Sequence, residues 1–149
     1  MAPPLRLVLT TRLEQVPAIL LVDDDTTIRS TLARLLQGHG YRASVASNGA
    51  EAMRLLSGSP DDARQADDAL PDVILLDLQM PEMNGWAVLA ELRRNDRLCS
   101  IPVVVLSAEP VNERTVLDAG ARAFIRKDAD VVDELFDLLG ALDELDERQ

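Results

Sequence analysis

Short apolar runs alternate along the chain with stretches in which apolar residues recur every three or four positions. This alternation predicts buried strands, each followed by an amphipathic helix. The strands are predicted at 19–22, 41–46, 73–76, 103–106 and 122–125. The helices are predicted around Ile28, Leu32, Leu35 and Leu36; around Ala50, Met53, Leu55 and Leu56; at 86–94; at 112–119; and around Val131, Leu135, Leu138, Leu142 and Leu145.

Five such strand–helix units predict an α/β fold. Parallel strands need crossover connections and lose both faces to packing, so continuous apolar strands joined by helices indicate a doubly wound, five-stranded parallel sheet. The 149 residues suffice for one domain. We expect that domain at 18–145, after an N-terminal extension at 1–17, with a long solvated loop at 57–71 and a short tail at 146–149.

The composition is strongly acidic, because 26 Asp and Glu residues outweigh 15 Lys and Arg residues and give a net charge of −11. This charge disfavours nucleic acid and anionic membranes as direct partners, and favours a cation or a basic protein. Most of the excess lies at 61–72 and at 128–149, where the last segment alone carries a net charge of −8. The acidic last helix is either a docking surface or an ordinary solvated helix face.

The cysteine content and the hydropathy of the chain indicate the cellular compartment of the protein. Cys99 is the sole cysteine, so no intramolecular disulfide can form, which is typical of a reducing compartment. No apolar run approaches the roughly 18 residues of a membrane span, and the N-terminus lacks the apolar core of a secretory signal. We therefore expect a cytoplasmic protein.

Chemically useful side chains stand where the predicted strands end. They are Asp23, Asp24 and Asp25 after the first strand, Asp77 after the third, Ser107 after the fourth and Lys127 after the fifth. Ligands of open parallel sheets bind at the carboxyl ends of the strands. Carboxylates this close raise one another's pKa unless a cation separates them, and one or two carboxylates with open positions suit Mg²⁺ better than Ca²⁺. The set predicts a Mg²⁺ site.

The same residues suit phosphoryl transfer. With Mg²⁺ in place, one carboxylate could attack phosphorus while Ser107 donates to one phosphoryl oxygen and Lys127 neutralises another. Plainer roles compete, because Asp25 is expected to cap the next helix, and capping explains Asp23 and Asp24 equally well when they are taken alone. Lys127 is the sole lysine among the 15 basic residues, which supports a specific need for a compact charge there.

Four segments resemble the receiver domain of two-component response regulators in sequence, order and spacing. They are ILLVDD at 19–24, LLDLQMPEMNG at 75–85, VLSA at 105–108 and GARAFIRK at 120–127. The resemblance covers about residues 18–145. It implies a flavodoxin-like sheet of order 2-1-3-4-5 flanked by five helices.

The resemblance also implies roles for individual residues. Asp77 matches the phosphoacceptor, which takes its phosphoryl group from the phosphohistidine of a sensor histidine kinase or a histidine phosphotransfer protein. Asp23 and Asp24 match the acidic pair that holds Mg²⁺, completed by Asp77 and the backbone carbonyl of Gln79. Lys127 matches the lysine that binds a phosphoryl oxygen. The implied protein is a signalling protein with slow self-dephosphorylation, and not an enzyme.

A switch is implied as well. Ser107 matches the switch hydroxyl and Phe124 the switch aromatic, so phosphorylation is expected to draw Ser107 toward the phosphoryl group and let Phe124 turn inward. This remodels the face of the fourth helix, fifth strand and fifth helix, where a downstream protein would bind. If the chain is complete it has no output domain, so the response passes through protein contact or a phosphorelay. The sequence is also compatible with a homodimer.

Several departures from the family pattern and two rival functions accompany this resemblance: besides the long loop at 57–71 and the N-terminal extension, Phe124 lacks the hydroxyl that a tyrosine would offer. Lys127 is followed by Asp128 where the family often has proline, so a cis peptide is not assured there. The pattern Asp23-x-Asp25-x-Thr27 also fits the nucleophile motif of haloacid-dehalogenase-like phosphatases. The third possibility is a receiver-like module that interacts with its partner constitutively.

Overall fold

The computed structural model describes residues 16–57 and 70–148, and it describes side chains as far as residue 142. The extension predicted at 1–17 and the loop predicted at 57–71 therefore lie almost entirely outside the described residues. Within the described ranges, no helix combines the length and the apolarity needed to cross a bilayer.

Strands and helices alternate along the described chain. The strands are β1 Ala18–Val22, β2 Arg42–Ala46, β3 Val73–Asp77, β4 Val103–Ser107 and β5 Ala123–Arg126. The helices are α1 Thr26–Gly38, α2 Gly49–Ser57, α3 Gly85–Arg94, α4 Glu113–Asp118 and α5 Val131–Arg148. The predicted α/β class is confirmed, with most element ends shifted by a residue or two. The tail predicted at 146–149 is helical as far as Arg148.

The five strands form one parallel sheet in the order β2-β1-β3-β4-β5. The predicted doubly wound sheet and the order implied by the resemblance are both confirmed. Because β1 lies between β2 and β3, the chain winds outward in both directions from β1. This order places the carboxyl ends of β1 and β3 side by side, with Val22 in register with Leu76.

Helices cover both faces of the sheet, and each face has its own hydrophobic core. One core includes the buried residues Ala52 and Leu56 of α2, Val88 and Leu92 of α3, and Val116 of α4. The other includes Leu32 and Leu36 of α1 and Leu135 and Leu139 of α5. Successive strand residues point to opposite faces, and the central strands β1, β3 and β4 are buried on both sides, whereas the edge strand β2 is largely exposed.

Two helices differ in detail from the predicted apolar faces. In α2, Leu56 is buried whereas Leu55 is 52% exposed. Leu55 lies about 100° around the helix axis from Leu56, and α2 is rotated against the sheet so that this side of the helix faces away from the core. In α5, Leu139 is buried although the predicted face omitted it, and the side chain of Leu145 lies outside the described ones.

Polar side chains define where the helices begin. Asp25 accepts hydrogen bonds from two main-chain N–H groups of the first turn of α1, which confirms its predicted capping role. Asn112, predicted to be the first residue of α4, instead caps that helix from outside by accepting two such bonds. Asn84 caps α3 in the same way, although with one bond.

Candidate functional site

Three carboxylates meet at the carboxyl edge of the sheet. Asp23 and Asp24 follow β1 directly, Asp77 is the last residue of β3, and one oxygen from each lies within 4.8 Å of the others. Asp23 is 1% exposed and Asp77 is 6% exposed, whereas Asp24 lies at the surface. The structure thus brings together three of the four carboxylates that the sequence predicts at the strand ends. Asp25 is not among them, because its side chain faces the first turn of α1.

Lys127, which follows β5, directs its ammonium group between the two buried carboxylates. Its Nζ lies 2.5 Å from Oδ2 of Asp23 and 3.5 Å from Oδ2 of Asp77. The lysine side chain is only 13% exposed, so water screens these ion pairs weakly. The ammonium therefore offsets part of the repulsion between the two acids.

The polar groups of Asp23 are all hydrogen-bonded. Its N–H donates to the carbonyl of Ala46 at 3.1 Å, and its Oδ1 accepts from the N–H of Asp25 at 2.9 Å. Its carbonyl accepts from Nη1 of Arg29 at 2.8 Å, and its Oδ2 accepts from Lys127. The contact of Arg29 was not predicted, because a side chain that reaches back to a main-chain carbonyl leaves no periodic signal in the sequence.

The main chain around Asp77 is closely packed. Oδ1 of Asp77 accepts a 3.3 Å hydrogen bond from the main-chain N–H of Gln79. The N–H of Gly85 donates to the carbonyl of Leu78 at 3.0 Å. A Cβ atom at position 85 would lie 2.7 Å from Cα of Leu78 and closer still to the carbonyl oxygen of Asp77. This connection therefore requires glycine at 85, and it holds the backbone of Asp77 in place.

The pKa of Asp77 is raised above its ordinary value by burial, which disfavours the charged carboxylate. The positive charge of Lys127 lowers this pKa, the negative charge of Asp23 raises it further, and the hydrogen bond from Gln79 lowers it. Burial outweighs the lysine, so Asp77 keeps its proton to a higher pH than a solvated aspartate does. A divalent cation at this site would favour the ionised form.

We expect Asp77→Asn to stabilise the metal-free protein at neutral pH by on the order of 1 kcal/mol. A raised pKa in the folded protein means that the contribution of Asp77 to stability is fully present below its ordinary pKa of 3.8 and is lost as the pH rises through the folded pKa. Urea unfolding of both proteins in EDTA, from acid to neutral pH, should give a difference that grows with pH. A difference that does not change with pH would contradict the assignment.

The two predicted switch residues lie on neighbouring strands. Ser107 is fully buried at the end of β4, its Oγ accepts from the N–H of Glu109 at 3.2 Å, and its carbonyl accepts from the N–H of Lys127 at 2.9 Å. Asp77 is in register with Leu106, so Ser107 stands one residue further along the adjacent strand. Phe124 is half-buried and packs against the core that α2, α3 and α4 cover.

The donor set at the edge of the sheet fits a small divalent cation. Ligands on opposite sides of one Mg²⁺ are separated by about 4.2 Å, so carboxylate oxygens within 4.8 Å of one another need only small adjustments to share an ion. An open depression adjoins the cluster and leaves room for further ligands. It is lined by Asp24, Leu78, Gln79, Met80, Asn84 and Trp86.

The peptide bond between Lys127 and Asp128 is at the position where the family often has proline. No cis peptide occurs among the described residues, so the Lys127–Asp128 bond is trans. The N–H of Asp128 donates to the carbonyl of Arg126 at 2.9 Å, which turns the chain sharply after β5. Lys127 therefore reaches Asp23 and Asp77 from a loop with an ordinary backbone.

Comparisons with known proteins agree with this geometry. Residues 19–139 match the family described as the response regulator receiver domain. The chain is 38% identical over 113 residues to the transcriptional regulatory protein PrrA of Mycobacterium leprae, which covers 74% of this chain and 43% of PrrA. It is 32% identical over 113 residues to the two-component response regulator ORR5 of Oryza sativa subsp. japonica, which covers 74% of this chain and 78% of ORR5. The chain thus spans less than half the length of PrrA.

A solved structure shares both the fold and part of the sequence. The response regulator protein TrrA from Thermotoga maritima, in complex with Mg²⁺ and BeF, is 28% identical, with a TM-score of 0.68. The match covers 85% of this chain and 98% of TrrA.

Proposed function

Because the chain belongs to the response regulator receiver domain family, which acts in phosphorylation-based signalling, we propose that Asp77 accepts a phosphoryl group in a Mg²⁺-dependent reaction. The donor would be the phosphohistidine of a sensor histidine kinase or of a histidine phosphotransfer protein. The observation that carries the proposal is the cluster of Asp23, Asp77 and Lys127, where one ammonium group contacts two buried carboxylates.

The metal would be held by Asp23, Asp24, Asp77 and the backbone carbonyl of Gln79. The carboxylate spacing and the hard oxygen donors support this set, and so does the Mg²⁺ in the TrrA complex. Bound Mg²⁺ would neutralise the charge that develops on the phosphoryl oxygens.

In the transfer step, a carboxylate oxygen of Asp77 forms a bond to phosphorus as the phosphorus–nitrogen bond of the donor breaks. The electron pair of that bond stays on the imidazole, which takes up a proton from solvent. The product on this chain is an acyl phosphate. Lys127, already 3.5 Å from Oδ2 of Asp77, would pair with one phosphoryl oxygen.

The same step would act on the switch residues. The hydroxyl of Ser107 accepts a hydrogen bond from the N–H of Glu109. On phosphorylation this bond would break, and the hydroxyl would donate a hydrogen bond to a phosphoryl oxygen. Space vacated by this movement would let Phe124 turn inward. The face of α4, β5 and α5 would then change shape and bind a downstream protein.

The chain would act as a stoichiometric acceptor and not as a turnover enzyme, apart from slow hydrolysis of its own acyl phosphate. Against the phosphatase alternative stands Asp25, the second acid of the motif, because its side chain caps α1 and is not part of the carboxylate cluster. A constitutive interaction module would need no buried ammonium between two acids. The geometry supports the phosphoacceptor best.

Phosphorylation by acetyl phosphate tests this proposal. We expect the wild-type chain to take up one phosphoryl group with Mg²⁺ and none in EDTA, and we expect Asp77→Asn to reduce labelling by at least about 100-fold. Asp25→Asn is the matched control and should label normally, since its side chain only caps a helix. Labelling that survives in Asp77→Asn but disappears in Asp23→Ala would instead support the phosphatase, in which Asp23, the first acid of the motif, would be the nucleophile.

A further inference from the structure

We propose that Arg29 is a positioning residue for the metal site, acting as a clamp on the turn between β1 and α1. The inference rests on the proposed Mg²⁺ site, and it concerns how the acidic turn is held. Arg29 lies in the first turns of α1 and directs its guanidinium group back over the end of β1. It is half-buried and would not itself contact the metal.

The clamp consists of two contacts from one guanidinium group. Nη1 of Arg29 donates to the carbonyl oxygen of Asp23 at 2.8 Å, and Nη2 donates to Oγ1 of Thr26 at 3.4 Å. The main-chain N–H of Arg29 also donates to the carbonyl of Asp25 at 2.9 Å. The side chain therefore connects the last buried residue before the turn with the first residue of α1.

The clamp matters because of the residue that lies between these two ends. Asp24 is exposed, so core packing does not hold it, and the direction of its carboxylate depends on the backbone of the turn. The hydrogen bond from the N–H of Asp25 to Oδ1 of Asp23 restrains the turn through the side chain of Asp23. The hydrogen bond from Arg29 restrains it through the main-chain carbonyl of Asp23. Together they keep Asp24 facing Asp23 and Asp77, where the three carboxylate oxygens converge.

The charge of Arg29 and its hydrogen bonds predict opposite effects on metal affinity. A guanidinium beside a cation site repels Mg²⁺, so removing its charge alone would tighten binding. Removing a group that orients a metal ligand typically weakens binding by 10- to 100-fold. A clamp therefore predicts weaker binding after Arg29→Met, which simple electrostatics cannot produce.

Mg²⁺ titrations of four proteins test the proposal. Isothermal calorimetry and the fluorescence of Trp86, the only tryptophan, would give the affinity of wild type, Arg29→Met, Arg29→Lys and Arg34→Met. Arg34 is an exposed arginine of the same helix and controls for loss of one charge. Circular dichroism checks that each variant is folded, and hydrogen exchange at the Asp25 amide reports on the turn without metal.

We expect Arg29→Met to bind Mg²⁺ about 10-fold more weakly, with faster exchange at the Asp25 amide. Arg29→Lys should be intermediate, since an ammonium keeps the charge but not the fork of donors, and Arg34→Met should resemble wild type. Equal or tighter binding by Arg29→Met would overturn the clamp. If Arg29→Met does not fold, a wild-type affinity of Arg29→Lys for Mg²⁺ would overturn the clamp instead. Absence of Mg²⁺ binding by wild type would instead contradict the proposed function.

Discussion

Lys127→Met is expected to destabilise the metal-free protein by about 3 to 5 kcal/mol. The ammonium lies 2.5 Å from Asp23 and 3.5 Å from Asp77, and both acids are buried, so its loss leaves two carboxylates facing each other without a cation. Urea unfolding in EDTA measures this loss. Arg126→Met is the matched control, because Arg126 is the exposed neighbouring cation and its replacement should cost less than about 0.5 kcal/mol.

Addition of Mg²⁺ should separate the two roles of Lys127. The ion replaces the missing positive charge, so we expect Mg²⁺ to recover much of the stability and to bind this variant more tightly than wild type. Phosphorylation by acetyl phosphate should nevertheless be slower by about 100-fold, because no ammonium stabilises the phosphoryl oxygens. A variant that is as stable as wild type in EDTA, or that is phosphorylated at the wild-type rate, would contradict the assignment.

Gly85→Ala is expected to destabilise the protein by about 2 to 3 kcal/mol, although alanine is the better helix former. The added Cβ would lie 2.7 Å from Cα of Leu78 and nearer to the carbonyl oxygen of Asp77. These are backbone atoms next to a buried strand, and they cannot move aside as a flexible side chain can. Because Asp77 would have to shift with them, phosphorylation should fall as well.

Gly140→Ala is the control, and its expected effect on the stability of the protein has the opposite sign. Among the described residues, no atom outside the backbone of α5 and the chain neighbours of Gly140 lies within 4 Å of the Cβ that this substitution adds, and position 140 is in the interior of α5. The substitution should therefore stabilise the protein by up to about 1 kcal/mol. Urea unfolding of both variants measures the contrast. Two substitutions with the same effect would show that the space around Gly85 does not govern its role.

The strand–helix alternation could be predicted because β1, β3 and β4 consist almost entirely of apolar residues, β2 alternates polar and apolar residues, and apolar residues recur every three or four positions in the helices. Chain direction alone then brings the strand ends to one edge, which is why Asp77 and Lys127 could be grouped although they are far apart in sequence. The strand ends differ by one residue from the prediction, because Asp77 and Ser107 are the last residues of their strands and not the first residues after them.

Other features depend on distances that a sequence pattern does not contain. The exposure of Leu55 and the burial of Leu139 follow from how each helix is rotated against the sheet. The direction of the pKa shift of Asp77 depends on a balance between burial and Lys127. The clamp by Arg29 depends on a side chain folding back over its own helix start.

Asp77 is the residue proposed to carry the phosphoryl group. The most direct measurement is to phosphorylate the wild-type chain with acetyl phosphate and Mg²⁺, reduce the acyl phosphate with borohydride, and locate the modified residue by peptide mass spectrometry. We predict a single modified residue, Asp77, and no modification when EDTA is present. Modification at Asp23 or Asp25, or an unmodified chain in the presence of Mg²⁺, would contradict the account.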